Sequence, residues 1–201
     1  VPLVGGNLSK GPLSLTVTIM GTVPAGSAIK RSGASVGDDI YVTGTLGDAA
    51  QGLALSRKGE ADGYLVSRYQ FPVARIAAGR RLRGLANSLI DISDGLVAEI
   101  GHLAETDSLG AEIAAWELPL SKELVKSAGE DIAISMALFS GDDYELCFTA
   151  DPADSGEIKA VSDSIDVPMT RIGVVTDGGE IVIRDSKGEL MDFGDAGYEH
   201  F

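Results

Sequence analysis

Alternation of apolar and polar residues predicts several strands in this chain. Residues 13–23, LSLTVTIMGTV, alternate with a period of two and are rich in β-branched side chains, which is typical of a strand. The runs 87–93 (NSLIDIS) and 144–150 (YELCFTA) predict two further strands. Residues 170–185, TRIGVVTDGGEIVIRD, predict a β-hairpin, because Asp-Gly-Gly between two apolar runs is a strong turn signal.

Helical spacing of apolar residues appears between these strands. Residues 38–55 indicate a strand, a glycine loop and a helix, and residues 95–105 indicate a helix. Pro72 is expected in the first turn of a helix through 73–85. Residues 134–138 look helical, and Asp151-Pro152 is expected to begin a helix that ends near Ser164. This order predicts an α/β or α+β fold with a mixed sheet covered by helices.

Charge and composition narrow the function classes. The net charge of −14 disfavours non-specific binding to nucleic acid, and no apolar run is long enough to span a bilayer. The single cysteine, Cys147, excludes an internal disulfide and is typical of a cytoplasmic protein. The two histidines, His102 and His200, do not form a zinc-ligand pair. The excess acid fits either a solvated surface or a site for hard divalent cations.

The sequence DISD places two carboxylates and a hydroxyl at a predicted strand-to-helix junction. Asp94 has the residue type of an N-cap, but capping does not explain Asp91, which lies within the strand. The two aspartates could instead hold Mg²⁺ against phosphate oxygens, with the Ser93 hydroxyl as a further ligand or a donor. Backbone N–H groups at a helix start also favour anions. Spacing alone leaves both interpretations open.

Two other junctions carry candidate chemistry. The run TGTLGD (43–48) has glycines suited to a phosphate loop but matches no complete motif, so a tight packing turn is favoured. The run SGDDYEL (140–146) is a third acidic turn, for which local Asx hydrogen bonds are the simplest explanation. Five arginines are expected to be mostly solvated, with one or two able to bind phosphate bidentately: Arg68, Arg75, Arg80, Arg81 and Arg83.

Several long motifs together resemble the thiamine-monophosphate kinase family. They are LVGGNLSKGPLSLTVT, RSGASVGDDIYVTGTLGDAAQGLAL, DISDGL, SGDDYELCFT and the terminal GYEHF, in this order. The resemblance implies the fold of the aminoimidazole ribonucleotide synthetase and selenophosphate synthetase superfamily. It also implies that residues 1–23 are a residual strand segment of the N-terminal ATP-binding domain. Residues 24–201 would then form the C-terminal α/β domain.

The resemblance implies a reaction as well as a fold. ATP would phosphorylate thiamine monophosphate directly, giving thiamine diphosphate and ADP, with several Mg²⁺ ions and a homodimeric cytoplasmic enzyme. The carry-over assigns ATP contacts to Gly6, Asn7, Arg31 and Ser93, metal ligation to Asn7, Asp91 and Asp94, and thiamine monophosphate contacts to Asp142 and Tyr198. No nucleic acid or membrane partner is implied.

Two positions depart from the family pattern. The family usually has Asp where this chain has Asn7, and Glu where it has Asp142. An amide oxygen can ligate Mg²⁺ without contributing charge, and Asp is one methylene shorter than Glu. Two alternatives stay open: another enzyme of the same superfamily, or a binding or dimerising module without catalysis. The 201-residue chain by itself is expected not to turn over ATP.

Overall fold

The computed structural model describes residues 2–61, 63–105 and 108–191. In this part of the chain the strands are β1 (Asp39–Thr43), β2 (Ala86–Asp91), β3 (Leu109–Ala114), β4 (Leu146–Ala150), β5 (Met169–Asp177) and β6 (Ile181–Arg184). The helices are α1 (Asp48–Arg57), α2 (Tyr64–Gln70), α3 (Ile76–Arg81), α4 (Leu96–Glu105), α5 (Lys122–Ala128), α6 (Glu130–Phe139) and α7 (Ser155–Ile165). Short 3₁₀ turns cover Ala115–Glu117 and Pro152–Asp154.

The strands form one mixed sheet in the order β2-β4-β1-β5-β3-β6. Neighbouring strands are antiparallel except for β3 and β6, which are parallel. The predicted α/β class with a mixed sheet covered by helices is confirmed. The described residues contain no helix that is both long and apolar enough to cross a membrane.

Opposite faces of the sheet pack against different helices. Ile40 and Val42 of β1 belong to the larger core with Leu96 and Ile100 of α4, whereas Tyr41 lies in a second core beside α3 and α7. The Tyr41 ring stacks on Phe148 of β4 with centroids 5.2 Å apart. Successive side chains of a strand point to opposite faces, so β1 contributes to both cores.

The only cysteine in the sequence lies in the middle of this arrangement. Cys147 is fully buried in β4, between β2 and β1. Burial raises the pKa of its thiol to about 12, with a smaller contribution from the nearby Glu99 carboxylate. The thiol therefore stays protonated and unreactive in the folded chain.

Three predictions about local structure are wrong. Residues 13–23 are not a strand in the described chain: they pair with no described strand, and apolar side chains such as Leu13 and Leu15 are almost fully exposed. A strand needs a partner for its backbone groups, and these residues have none within the described chain. Pro72 lies four residues before α3 and not in its first turn, and Arg75, directly before the helix, forms a bidentate ion pair with buried Glu145.

The predicted hairpin over 170–185 is also wrong. The Asp177-Gly178-Gly179 turn reverses the chain, but β3 lies between β5 and β6. The backbone N–H of Ala111 donates to the carbonyl of Glu180 at 2.9 Å. Gly110 permits this approach, since a Cβ there would lie 2.5 Å from the same carbonyl oxygen. The other predicted strands and helices are confirmed with shifted ends.

Candidate functional site

The end of β2 and the loop before β4 are joined by backbone hydrogen bonds. Ile92 N–H donates to the Glu145 carbonyl at 2.8 Å, and Tyr144 N–H donates to the Ile92 carbonyl at 2.9 Å. Asp142 N–H donates to the Ser93 carbonyl at 2.9 Å. Gly141 must be a glycine here, because a Cβ would lie 1.9 Å from the Ser93 carbonyl oxygen. The two acidic turns that are far apart in sequence therefore lie side by side.

Three predicted site carboxylates meet at this place, and we call Asp91, Asp94 and Asp142 the acidic corner. The Tyr144 hydroxyl donates to Asp142 Oδ1 at 3.2 Å. Burial raises the pKa of Tyr144, and the carboxylates of Asp142, Asp91 and Asp94 raise it further. The Tyr144 hydroxyl is therefore within electrostatic range of all three carboxylates. The structure brings together the DISD and GDDYEL motifs that the sequence analysis treated separately.

The loop before β4 alternates between outward and inward side chains. Asp142 and Tyr144 have φ values of 68° and 50°, a left-handed conformation that is unusual for residues other than glycine. The intervening Asp143 and the following Glu145 are buried. Each strained residue costs roughly 1–3 kcal/mol, which surrounding contacts must offset. The inward carboxylates supply these contacts.

Asp143 binds the start of α1. Its carboxylate accepts from Gly47 N–H at 2.6 Å and Ala49 N–H at 3.2 Å. Burial raises the pKa of Asp143 to about 7, although the two backbone hydrogen bonds and the Arg68 guanidinium act in the opposite direction. This carboxylate thus occupies the backbone N–H groups at the α1 N-terminus that a phosphate would use.

Glu145 is a fully buried anion with cationic partners. It accepts from Thr43 Oγ1 at 2.6 Å, from Arg68 Nη2 at 2.9 Å and from Arg75 Nε at 2.6 Å. Gly44 leaves room for it, since a Cβ at that position would lie 2.2 Å from Glu145 Oε1. The glycine loop 43–48 is therefore a packing turn around carboxylates, as its sequence favoured. Arg68 and Arg75 are not solvated but engaged with Glu145.

The start of α4 is occupied in a similar way. Glu99, which is 2% exposed, accepts through Oε1 from Ser93 N–H at 3.3 Å and from Asp94 N–H at 3.1 Å. The Ser93 hydroxyl lies 3.1 Å from the same oxygen. The prediction that these backbone N–H groups are free for an anion is wrong. Glu99 is a residue that sequence reasoning missed, although an acid within the first turn of a helix is a recognisable capping signal.

The remaining predicted residues lie in other segments of the chain or outside the described residues. Arg31 is exposed and follows Lys30, which forms a parallel bridge to Ser88 of β2. Gly6 and Asn7 lie in the exposed N-terminal segment, where Asn7 donates to Ser9 Oγ at 3.3 Å and nothing approaches a Cβ built on Gly6 within 4 Å. Tyr198 falls outside the described residues.

The donor set of the corner suits a hard cation without enclosing one. Among the described residues, no three His, Cys, Asp or Glu side chains are arranged to hold a metal ion by themselves. Mg²⁺ is nevertheless commonly held by one or two carboxylates, with water and substrate phosphate completing its octahedron. Asp91, Asp94 and the Ser93 hydroxyl are oxygen donors of this kind. A cavity of about 530 Å³ beside Asp94 leaves space for a further ligand.

Residues 35–186 match the family model described as AIR synthase related protein, C-terminal domain. The chain belongs to this family. The matched range covers all the strands and helices that surround the acidic corner. The AIR synthase related assignment agrees with the fold that the motifs implied.

The chain is also similar in sequence to individual curated proteins. The chain is 44% identical to the thiamine-monophosphate kinase of Escherichia coli strain K12 over 99% of its own length and 63% of that protein. It is 35% identical to the thiamine-monophosphate kinase of Aquifex aeolicus, again over 99% of this chain and 63% of that protein. The resemblance to thiamine-monophosphate kinases is confirmed. The chain spans just under two thirds of these relatives.

Solved structures give the same result for the fold. The thiamine-monophosphate kinase of Stenotrophomonas maltophilia K279a superposes with a TM-score of 0.77 at 40% identity, over 84% of this chain and 56% of that one. AaThiL complexed with AMPPCP and TMP superposes with a TM-score of 0.70 at 35% identity, over 86% and 54%. The E. coli hydrogenase maturation protein HypE has a TM-score of 0.71 at 22% identity, over 88% and 56%, and shares the fold alone.

Proposed function

We propose that the full-length gene product transfers the γ-phosphoryl group of ATP to the phosphate of thiamine monophosphate, giving thiamine diphosphate and ADP. The observation that carries this proposal is the acidic corner, in which DISD and GDDYEL side chains converge within a chain 44% identical to a thiamine-monophosphate kinase. An AaThiL structure with AMPPCP and TMP supports the choice of both substrates. A fold shared with HypE at 22% identity favours no other reaction.

The corner supplies electrostatic positioning in this reaction. Two polyanions must approach in line, and their mutual repulsion opposes the transfer. Asp91 and Asp94 would hold Mg²⁺, which neutralises phosphate charge and orients the oxygens when it is bound. Asp142 would contact the thiamine moiety of the acceptor. The buried partners of Asp143 and Glu145 hold the loop that carries Asp142 in place. No covalent intermediate is required.

We propose that the ATP contacts extend over a second part of the chain. Gly6, Asn7 and Arg31 would contact ATP beside Ser93, with Asn7 also near a metal. We propose that residues 1–23 would belong to the ATP-binding domain and that residues 24–201 would form the α/β domain. The exposed apolar side chains of the N-terminal segment support a separate packing partner for it. Tyr198 would pack on the thiamine ring.

We also propose a cellular location and an oligomeric state. We propose a cytoplasmic location, in keeping with the single cysteine, and expect a homodimer that uses several Mg²⁺ ions. The 201-residue chain alone is expected to be inactive, because Gly6 and Asn7 lie in an exposed segment here. Size-exclusion chromatography with light scattering on the full-length gene product measures the oligomeric state directly.

The experiment that tests the proposal is a product assay with the full-length gene product. Purified protein is incubated with ATP, Mg²⁺ and either thiamine monophosphate or unphosphorylated thiamine, and products are separated by chromatography. Thiamine diphosphate is expected from the monophosphate only, with stoichiometric ADP. An enzyme that hydrolyses ATP equally well with either compound, or forms no thiamine diphosphate, would contradict the proposal.

A further inference from the structure

We infer that Arg75 is a positioning residue for the acceptor substrate: through the buried Glu145 carboxylate, it holds Asp142 in the orientation for contact with the thiamine moiety. This role deepens the proposed function and rests on the contact proposed there for Asp142. Within the described residues, the Arg75 side chain donates hydrogen bonds to Glu145 alone. Its route to Asp142 is therefore that carboxylate.

Arg75 turns inward from a segment that otherwise lies at the surface. Residues 71–76 are all exposed except Arg75, whose side chain is 17% exposed. Its Nε donates to Glu145 Oε2 at 2.6 Å, and its Nη2 donates to Glu145 Oε1 at 2.5 Å. Core packing does not explain this direction, because the neighbouring apolar side chains Phe71 and Ile76 are mostly exposed. The two-point ion pair does explain it, and such a contact fixes the plane of a carboxylate as well as its position.

Arg68, the other guanidinium at Glu145, has further partners in the fold. Its Nη2 donates to Glu145 Oε1 at 2.9 Å and to the Thr45 carbonyl at 3.4 Å. Its Nε lies 3.6 Å from Oδ2 of Asp48, a fully buried residue that also accepts from the Ser121 hydroxyl. Removing Arg68 therefore disturbs the packing of α1 as well as Glu145. Arg75 is the partner whose loss isolates the effect on Glu145.

Removing Arg75 leaves the Glu145 carboxylate paired but no longer fixed in orientation. Glu145 keeps the hydrogen bonds from Thr43 Oγ1 at 2.6 Å and from Arg68 Nη2 at 2.9 Å. A buried carboxylate with these two donors is not an unpaired charge, so the fold is expected to persist. The loss is confined to the planar two-point contact that sets the direction of the carboxylate.

The direction of Glu145 matters because the residues directly before it have an unfavourable backbone conformation. Asp142 and Tyr144 are left-handed, with φ values of 68° and 50°. Backbone hydrogen bonds to the carbonyls of Ser93 and Ile92 hold one side of this loop. The Glu145 side chain holds the other side from the interior. A sparsely populated conformation persists only while its surroundings enforce it, so a loosened Glu145 lets Asp142 leave its observed position.

Ligand binding to the full-length gene product tests this role without requiring turnover. Calorimetry measures thiamine monophosphate binding with AMPPCP and Mg²⁺ present, and AMPPCP binding by itself. Arg75→Ala is expected to weaken thiamine monophosphate binding roughly tenfold, as for the loss of one hydrogen bond to a charged group, and to change AMPPCP binding by less than about twofold. Arg75→Lys keeps the charge but not the planar fork, so a weakening of roughly threefold is expected.

Two comparisons separate positioning from a general loss of structure. Arg171→Lys is the matched control, because Arg171 of β5 donates to Asp39 at the start of β1, whereas Glu145 contacts Thr43 at the end of that strand. It should leave both affinities unchanged. Methylguanidinium added to Arg75→Ala is expected to restore most of the thiamine monophosphate affinity, since this small cation fits the partly exposed space that the Arg75 guanidinium occupied.

Amide hydrogen exchange followed by mass spectrometry gives a readout that needs no substrate. Faster exchange in residues 140–146 of Arg75→Ala, with unchanged exchange in β6, supports the role of Arg75. Faster exchange confined to residues 71–76, with unchanged thiamine monophosphate affinity, overturns it, because Arg75 would then anchor only its own segment. Equal losses of affinity for thiamine monophosphate and AMPPCP also overturn it.

These outcomes are distinct from those for the proposed reaction. A wild-type protein that forms no thiamine diphosphate contradicts the proposed function, while faster exchange of residues 140–146 in Arg75→Ala still supports positioning of the loop that carries Asp142. Thiamine diphosphate formation by the wild type, with normal thiamine monophosphate affinity in Arg75→Ala, overturns the role of Arg75 alone.

Discussion

The two strand-loop-helix junctions of this chain, 43–48 and 91–96, look alike in sequence but differ in use. Each combines glycine and aspartate at the start of a helix, and each helix start is occupied by a carboxylate from the chain itself. At α1 this carboxylate is Asp143, and the side chains around it are buried. At α4 it is Glu99, and Asp91, Ser93 and Asp94 remain at least partly exposed.

The difference shows that two sequences resembling a phosphate-binding loop can have different roles. At the α1 junction Gly44 makes room for Glu145, and Asp143 accepts from the backbone N–H groups at the helix start, so the anion site is filled from within. At the α4 junction Gly95 instead allows close packing against Phe139, and the polar groups stay at the surface. The first junction (43–48), which we call the closed junction, supports the loop that carries Asp142. The second junction (91–96), which we call the open junction, keeps polar side chains at the surface. Removing a side chain from each should affect different properties.

The largest effect is expected from Glu145→Ala at the closed junction. The change leaves the Arg68 and Arg75 guanidiniums without their buried carboxylate, which costs about 3–5 kcal/mol of unfolding free energy. Urea denaturation followed by circular dichroism measures the change. Lys159→Ala, which removes an exposed ion pair with Asp163, is the control and should leave stability nearly unchanged. Equal losses of unfolding free energy in the two variants would contradict a stabilising role of Glu145 at this junction.

The next effect concerns the open junction. Asp94→Asn in the full-length gene product is expected to lower kcat on the order of 100-fold, because a charge beside phosphate and metal is lost. The melting temperature should change little, since Asn has nearly the same volume and also caps helices well. Near-normal turnover with a melting temperature lowered by several degrees would show that Asp94 has a capping role instead.

Asp143 makes the closed junction sensitive to pH. The pKa of this buried carboxyl is raised from 3.8 to about 7, so the folded state holds its proton where the unfolded state releases it. Its contribution is therefore fully present below pH 3.8 and is lost as pH rises toward 7. Between pH 5 and pH 7 this loss amounts to about 2 kcal/mol. Urea titrations of wild type and Asp143→Asn should show that the variant lacks this part of the pH dependence.

The smallest effect is expected for Tyr144→Phe at the acidic corner. Only the hydrogen bond to Asp142 is removed, so KM for thiamine monophosphate should rise a few-fold, as for a loss of about 0.5–1.5 kcal/mol. KM for ATP should stay unchanged in the same steady-state assay. Tyr69→Phe on α2 is the matched control. An equal rise for both substrates would show that the hydroxyl acts on the fold rather than on Asp142.

The sequence predicted the fold class and most elements because local periodicity reflects local burial. The α4 helix and β2 strand have clear patterns, and both formed close to their predicted bounds. The hairpin failed for a non-local reason: β3 inserts between β5 and β6, and turn chemistry at Gly178 and Gly179 carries no information about a strand that arrives from elsewhere. Residues 13–23 show the same limit, since alternation predicts a strand only if a partner is available.

The residues of the candidate site were predictable from the sequence, but the hydrogen bonds that hold them were not. Asp91, Ser93, Asp94 and Asp142 were identified from motifs, and the structure places them together. The roles of Glu99, Asp143 and Glu145 depend on which side of a backbone each carboxylate faces. For Asp143 and Glu145 that direction follows from the left-handed conformations at Asp142 and Tyr144, which residue type does not predict. For Glu99 it follows from its place in the first turn of α4.

The position of Cys147 makes β4 accessible to a separate kind of measurement. A thiol with a pKa of about 12, buried between two neighbouring strands, can react with an alkylating reagent only when this part of the sheet opens. Because the sequence contains no other cysteine, the alkylation rate reports the opening of a single strand. That strand directly follows the loop bearing Asp142. Slower alkylation in the presence of a bound ligand would therefore report, through one atom, how far ligand binding suppresses opening behind the acidic corner.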